Sequence, residues 1–138
     1  MAIKKIAFIV DKLPQKAETS RLALTHAIAS QTVEIYLDDG DNVEPVLAFV
    51  GDGVLNCKKN QKAALDIYGI SSLEMHIKNA LLVDIEVLVC KEDMDRLGLK
   101  EDDIIMDAEE IGGEVTTRIL PFDDIWKQVD SSDHLLFF

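Results

Sequence analysis

Cys90 is the residue best placed to do chemistry in this sequence. It closes an apolar run, residues 85–89, and opens a polar stretch, 91–97, that reads as a short helix stopped by Gly98. A thiol there meets the positive end of the helix dipole and unpaired backbone N–H groups, and both favour the thiolate, the reactive form. Lys91 adds to that effect, while Glu92 and Asp93 oppose it, because nearby anions raise a thiol pKa. The competing reading is a buried, inert cysteine, since free Cys is among the most buried residue types. Asp52 and Gly53 are the second candidate. They lie in Gly51-Asp52-Gly53-Val54, directly after the apolar run 46–50, and such a turn can offer backbone N–H groups to an anion. Cys57 is the third. On a helix over residues 55–68 it shares a face with Gln61, Ala64, Leu65 and Tyr68, away from Lys58, Lys59 and Lys62. That is a core position, and a partnership with Cys90 is the alternative.

Other chemistries lack their residues. Val54, Leu55 and Asn56 follow Gly51-Asp52-Gly53, so the third glycine of a dinucleotide fingerprint is missing, and no Gly-Lys-Ser/Thr forms a P-loop. Residues 38–42 lack the spacing and closing Glu of a calcium loop. His26, His76 and His134 are scattered without metal-ligand spacing. No Ser sits in a Gly-x-Ser-x-Gly elbow. Asp102, Asp103, Asp107, Glu109 and Glu110 read as a solvated acidic stretch. No metal and no organic cofactor is expected.

The elements that must position Cys90 and the glycine turn alternate between strand and helix. Residues 3–10 form an apolar run ending at Asp11, the pattern of a strand buried on both faces of a parallel sheet. A helix begins near residues 18–20 and carries Leu22, Leu24, Ala27, Ile28 and Ala29. Residues 32–37 alternate like a strand, or continue that helix, before the turn-rich 38–42. The strand 46–50 has Pro45 at its entry, where a missing N–H is tolerated. Gly69 stops the helix 55–68, and Ser71 with Glu74 makes a capping box for the next helix, which carries Leu73, Ile77, Ala80 and Leu81. Further on, a helical turn is expected at 101–106, a strand at 115–120 ended by Pro121, and a helix at 123–129. A last apolar strand, 134–138, belongs inside the sheet or in a subunit interface. This alternation implies one three-layer α/β/α domain over residues 1–138, with a mainly parallel sheet of about five strands. Ligands of open parallel sheets bind beyond the carboxyl ends of the strands. If strands 46–50 and 85–89 are neighbours, the glycine turn and Cys90 share one rim.

Composition narrows the partners. The 138 residues, 48% hydrophobic and 29% charged, suit a single globular domain. Fourteen Lys and Arg against twenty-six Asp and Glu give a net charge of −12, which repels phosphate backbones and anionic lipid. No direct nucleic-acid partner is expected, since Lys58, Lys59 and Lys62 make only a small basic group. No apolar run approaches the ~20 residues of a membrane span. The first apolar run is cut by Asp11 and Lys12, too early for a signal peptide, and the two cysteines lie far apart as thiols. Both features suit a cytoplasmic protein.

Four places in the chain resemble the DsrE/DsrF-like family of small sulfur-relay proteins, which includes the TusB, TusC and TusD subunits. They are the opening strand Lys4-Lys5-Ile6-Ala7-Phe8-Ile9-Val10, the turn Asp52-Gly53-Val54, the strand ending at Cys90, and the closing Asp133-His134-Leu135-Leu136-Phe137-Phe138. The resemblance spans nearly the whole chain. It implies that Cys90 accepts sulfane sulfur as a persulfide from a protein donor and passes it to a protein acceptor. Arg96 and Gly98 follow at the family's spacing, but Lys91-Glu92-Asp93-Met94-Asp95 replaces the small residues of the active subunits. Residues 95–103 are similar to those of the non-catalytic DsrF-type subunits. The alternatives are therefore a non-catalytic subunit acting through assembly, or a small-ligand-binding α/β module. The resemblance also implies homotrimers, or hexamers of one or several kinds of subunit.

Overall fold

The strand β1 (Ile3–Val10) is the axis of the molecule. Its Ala7–Val10 end is buried, as an apolar run becomes when helices cover both faces of a parallel sheet. In this computed structural model residues 3–11, 19–32, 42–59 and 73–138 are described. The further elements are α1 (Thr19–Thr32), β2 (Asn42–Phe49), α2 (Leu73–Leu82), β3 (Glu86–Cys90), α3 (Lys91–Arg96), β4 (Arg118–Leu120), α4 (Phe122–Asp130) and β5 (His134–Phe137). The five strands form one parallel sheet in the order β4-β3-β2-β1-β5. The register sets Phe8 beside Leu47 and Leu136, Phe49 beside Val89, and Cys90 beside Leu120.

The chain steps from β1 to β4 in one direction and then crosses back to β5 on the far side of β1. Right-handed crossovers put the first three connections on one face of the sheet and the last, with α4, on the other. A salt bridge from Lys78 of α2 to Glu110 ties the β3–β4 connection to the α2 face. On the opposite face α4 buries Ile125 and Val129. The result is the expected three-layer α/β/α arrangement, with Leu24, Leu47, Phe49, Ile77, Leu81 and Leu88 fully buried within it.

Several local expectations are corrected. β2 begins at Asn42, so Pro45 lies inside the strand instead of at its entry. The ladder to β3 starts only at Val46, which leaves Pro45 with no hydrogen bond to supply on that side. Gly51–Cys57 is a 3₁₀ segment, and Lys58 leaves it in extended conformation. The α-helix expected from residue 55 therefore does not start there; residues 60–68, Gly69 and Ser71 lie outside the described residues, as do 33–37. The turn at Glu101–Asp103 ends early because Ile104 bridges back to Lys58, and the Ile105 N–H bonds to the Cys57 carbonyl at 2.8 Å. β4 is shorter than 115–120 because Thr117 is held elsewhere: its N–H bonds to the Met106 carbonyl at 2.7 Å and its hydroxyl to the Ile105 carbonyl at 2.8 Å. The closing strand lies at the sheet edge, not inside it, and all four of its side chains are exposed. Apolarity announces a strand, but β1 had only one vacant side to offer.

Gly53 makes the tightest backbone contact behind the glycine turn. A Cβ there would stand 2.0 Å from the Val10 carbonyl oxygen. The Gly53→Ala variant should cost about 2–3 kcal/mol and lower Tm by roughly 5–10 °C. A thermal melt that leaves Tm unchanged would contradict this close approach.

Candidate functional site

β2 and β3 are neighbours, so the turn after β2 and Cys90 at the end of β3 do share one rim. The rim has a further property. It lies at the carboxyl ends of the parallel strands, the edge at which open sheets of this kind bind their ligands. Cys90, with its ladder partner Leu120, stands at that edge.

Cys90 is the residue before α3 and has extended backbone there, φ −74° and ψ 119°. Only 1% of it is exposed. Its thiol is hydrogen-bonded to the carboxylate of Asp93, three residues on. Asp93 is the hub of the site. Its Oδ2 accepts the Gly51 N–H at 2.7 Å, and its Oδ1 accepts Arg96 Nε–H at 3.3 Å. Arg96 Nη2 reaches Asp52 Oδ1 at 3.1 Å. The helix thus brings Asp93 and Arg96 onto one side, and Gly51, with φ +55°, turns its N–H toward them.

The residues singled out in the sequence fall into two groups. Asp52, Arg96 and Cys90 are joined through Asp93. Gly53 serves the packing instead: its N–H donates to the Val50 carbonyl at 2.9 Å, so it has no donor for an anion at the rim. Lys91 is exposed and stands outside the network around Asp93. Cys57 is fully buried at the end of the 3₁₀ segment, and burial holds its thiol far above the ordinary range. Both cysteines are free thiols.

Electrostatics at Cys90 run against the simple helix-end expectation. Burial, followed by the hydrogen bond and charge of Asp93 and the charge of Glu92, pushes the thiol up to about 11. The Asp93 backbone N–H pulls the other way, but its contact with the sulfur falls short of a hydrogen-bonded cap. A six-residue helix with two carboxylates in its first turn does not compensate for desolvation. For Asp93, burial works against the charge, yet the Gly51 N–H, the Cys90 thiol and Arg96 together outweigh it and hold its carboxyl below the usual range.

On the α4 side of the rim lies an apolar cavity of about 180 Å³, lined by Ile9, Val50, Phe122, Ile125, Trp126 and Phe137 among others. The rings of Phe122 and Trp126 stack at 6.4 Å. The Phe122 N–H donates to Glu92 Oε2 at 2.8 Å, which links this helix to α3. A larger groove, about 510 Å³ between α1 and α2, shares no residue with the rim. Among the described residues, no group of His, Cys, Asp and Glu is placed to hold a metal ion, and no helix is long and apolar enough to cross a membrane. The sequence reading missed Asp93 as the organiser. Its signal was present: an acceptor three residues after the residue preceding a helix is the spacing of a capping pair.

The fold and site define a small α/β protein with an open five-stranded parallel sheet and a thiol at the carboxyl end of β3. The chain belongs to the DsrE/DsrF-like family, whose model matches residues 4–138. Its fold is similar to that of the crystal structure of the YchN protein from E. coli, with a TM-score of 0.68 over 98% of this chain and 99% of that one, at 18% sequence identity. No curated protein matches the chain. The family is in general one of sulfur relay, and the resemblance read from the four sequence segments holds.

The raised Cys90 pKa has a direct readout. At pH 8 only roughly one thiol in a thousand is ionised, so iodoacetamide should modify Cys90 slowly and about tenfold faster per pH unit, still rising at pH 10. Peptide mass spectrometry on the folded protein would show this, with Cys57 unmodified throughout. A plateau below pH 9 would contradict the assigned environment.

Proposed function

We propose that this protein is a persulfide carrier that takes sulfane sulfur onto Cys90 and delivers it to a partner protein. The observation that carries the reading is the position of Cys90: the carboxyl end of β3 in a DsrE/DsrF-like domain, three residues before Asp93 and its arginine-anchored carboxylate network. The exchange balances without a cofactor. The Cys90 sulfur attacks the outer sulfur of a donor persulfide, R–S–SH; the S–S bond of the donor breaks, Cys90–S–SH forms, and the proton lost by Cys90 ends on the released R–SH. An acceptor thiol then removes the outer sulfur in the same way and restores the Cys90 thiol.

Two free thiols in the chain support action in the reducing cytoplasm. The exposed apolar side chains of β5, Leu135, Leu136 and Phe137, at the edge of the sheet formed by the described residues, support assembly into trimers or hexamers of this or sister subunits. The second reading, a non-catalytic subunit that acts through such assembly, draws on the same edge and on the raised Cys90 pKa.

Intact mass after incubation with a persulfide-loaded cysteine desulfurase separates the two. The carrier reading expects a reducible gain of one sulfur that persists in Cys57→Ser and disappears in Cys90→Ser. A wild-type protein with reduced thiols and no adduct would falsify it and leave the assembly role. For the edge, Phe137→Asp should lower the mass measured by light scattering; an unchanged mass removes β5 from the interface.

A further inference from the structure

The donors around Cys90 are arranged for an anion, and in the unloaded protein that anion is a side chain of the chain itself. The Asp93 carboxylate takes the Gly51 N–H at 2.7 Å and the Arg96 guanidinium at 3.3 Å while also accepting the Cys90 thiol. The Gly51 N–H therefore lies one carboxylate away from the sulfur. A second sulfur bonded to Cys90 stands ~2 Å beyond the first, in the volume that the carboxylate fills. The geometry points to Asp93 as an internal placeholder: it occupies the Gly51 and Arg96 donors until the terminal sulfur of Cys90–S–S⁻ takes them, and then swings out. This rests on the persulfide reading of Cys90.

Three features fit the assignment. Asp93 is partly exposed, with 20% of its side chain accessible, so its outward path is open. Arg96 keeps a second carboxylate, Asp52, at 3.1 Å, which holds the guanidinium at the rim after Asp93 leaves. Gly51 has nothing within 4 Å of the position a Cβ would take, so the turn that presents its N–H is open on that side. Asp93 is a positioning residue in this scheme. It guards the donors against stray anions and yields them to one that arrives attached to Cys90.

The test reads the donors without any sulfur transfer. In a Cys57→Ser background, Cys90 is alkylated at one pH with neutral iodoacetamide and with anionic iodoacetate. Asp93→Asn should raise the iodoacetate rate roughly tenfold more than the iodoacetamide rate, and adding Arg96→Ala should remove most of that selective gain. A loosened fold would accelerate both reagents alike, so the ratio separates the placeholder from a structural role; Asp93→Ser replaces Asp93→Asn if the latter fails to fold. Equal acceleration of both reagents, or a selective gain that Arg96→Ala leaves whole, overturns the proposal. Sulfur uptake on Cys90 is measured separately by mass. A selective gain with no uptake overturns the persulfide as the occupant, whereas uptake with no selectivity overturns only the placeholder.

Discussion

The hydrogen bond from the Gly51 N–H to the Asp93 carboxylate, 2.7 Å long, is the contact on which the rim depends. It joins the turn after β2 to the first turn of α3, two segments forty-two residues apart in the chain. One end is fixed by glycine, whose positive φ aims the N–H across the strand ends. The other end is fixed by Arg96 and by the thiol that Asp93 caps. Together with the Arg96–Asp52 contact at 3.1 Å, that bond holds the glycine turn, the arginine and the cysteine as one site. A charge-assisted bond of this kind is among the stronger hydrogen bonds a protein makes.

Burial first, and Asp93 beside it, favour the protonated form of the Cys90 thiol. A persulfide carrier must hold its thiol ready without losing it to every oxidant and electrophile it meets. Burial and a neighbouring carboxylate keep the sulfur protonated, and 1% exposure keeps it covered. On the proposed persulfide reading, reaction requires a partner that engages the rim and displaces Asp93, which places selectivity in access more than in intrinsic reactivity. The acidic surface, with a net charge of −12, favours partners that present a complementary basic face.

Much of the fold was legible in the sequence because burial on both faces of a parallel sheet writes itself as continuous apolar runs. β1, β3 and the short α3 closed by Gly98 follow from such runs and their stop residues. Strand order does not, because an apolar run states that a segment is covered and not by what. Hence β5 stands at an exposed edge, although its composition matches an interior strand. Lengths were set by tertiary bonds that no local pattern records, as where Thr117 shortens β4 and Ile104 ends a helical turn. At the site, the rim and its cysteine were readable from strand ends. The sign of the Cys90 pKa was not, because it turns on desolvation and on one side-chain rotamer, and Asp93 looked like one acidic residue among twenty-six Asp and Glu.

The link from α3 to α4 has an optical consequence. The chain contains a single tryptophan, Trp126, stacked on Phe122, whose N–H is bonded to Glu92 beside Asp93. Trp126 is about half exposed, so its emission responds to small changes in hydration. The only indole in the molecule is thus wired, through one backbone hydrogen bond, to the residue next to the sulfur site. The protein carries its own fluorophore for testing, in real time and without a label, whether the proposed displacement of Asp93 occurs.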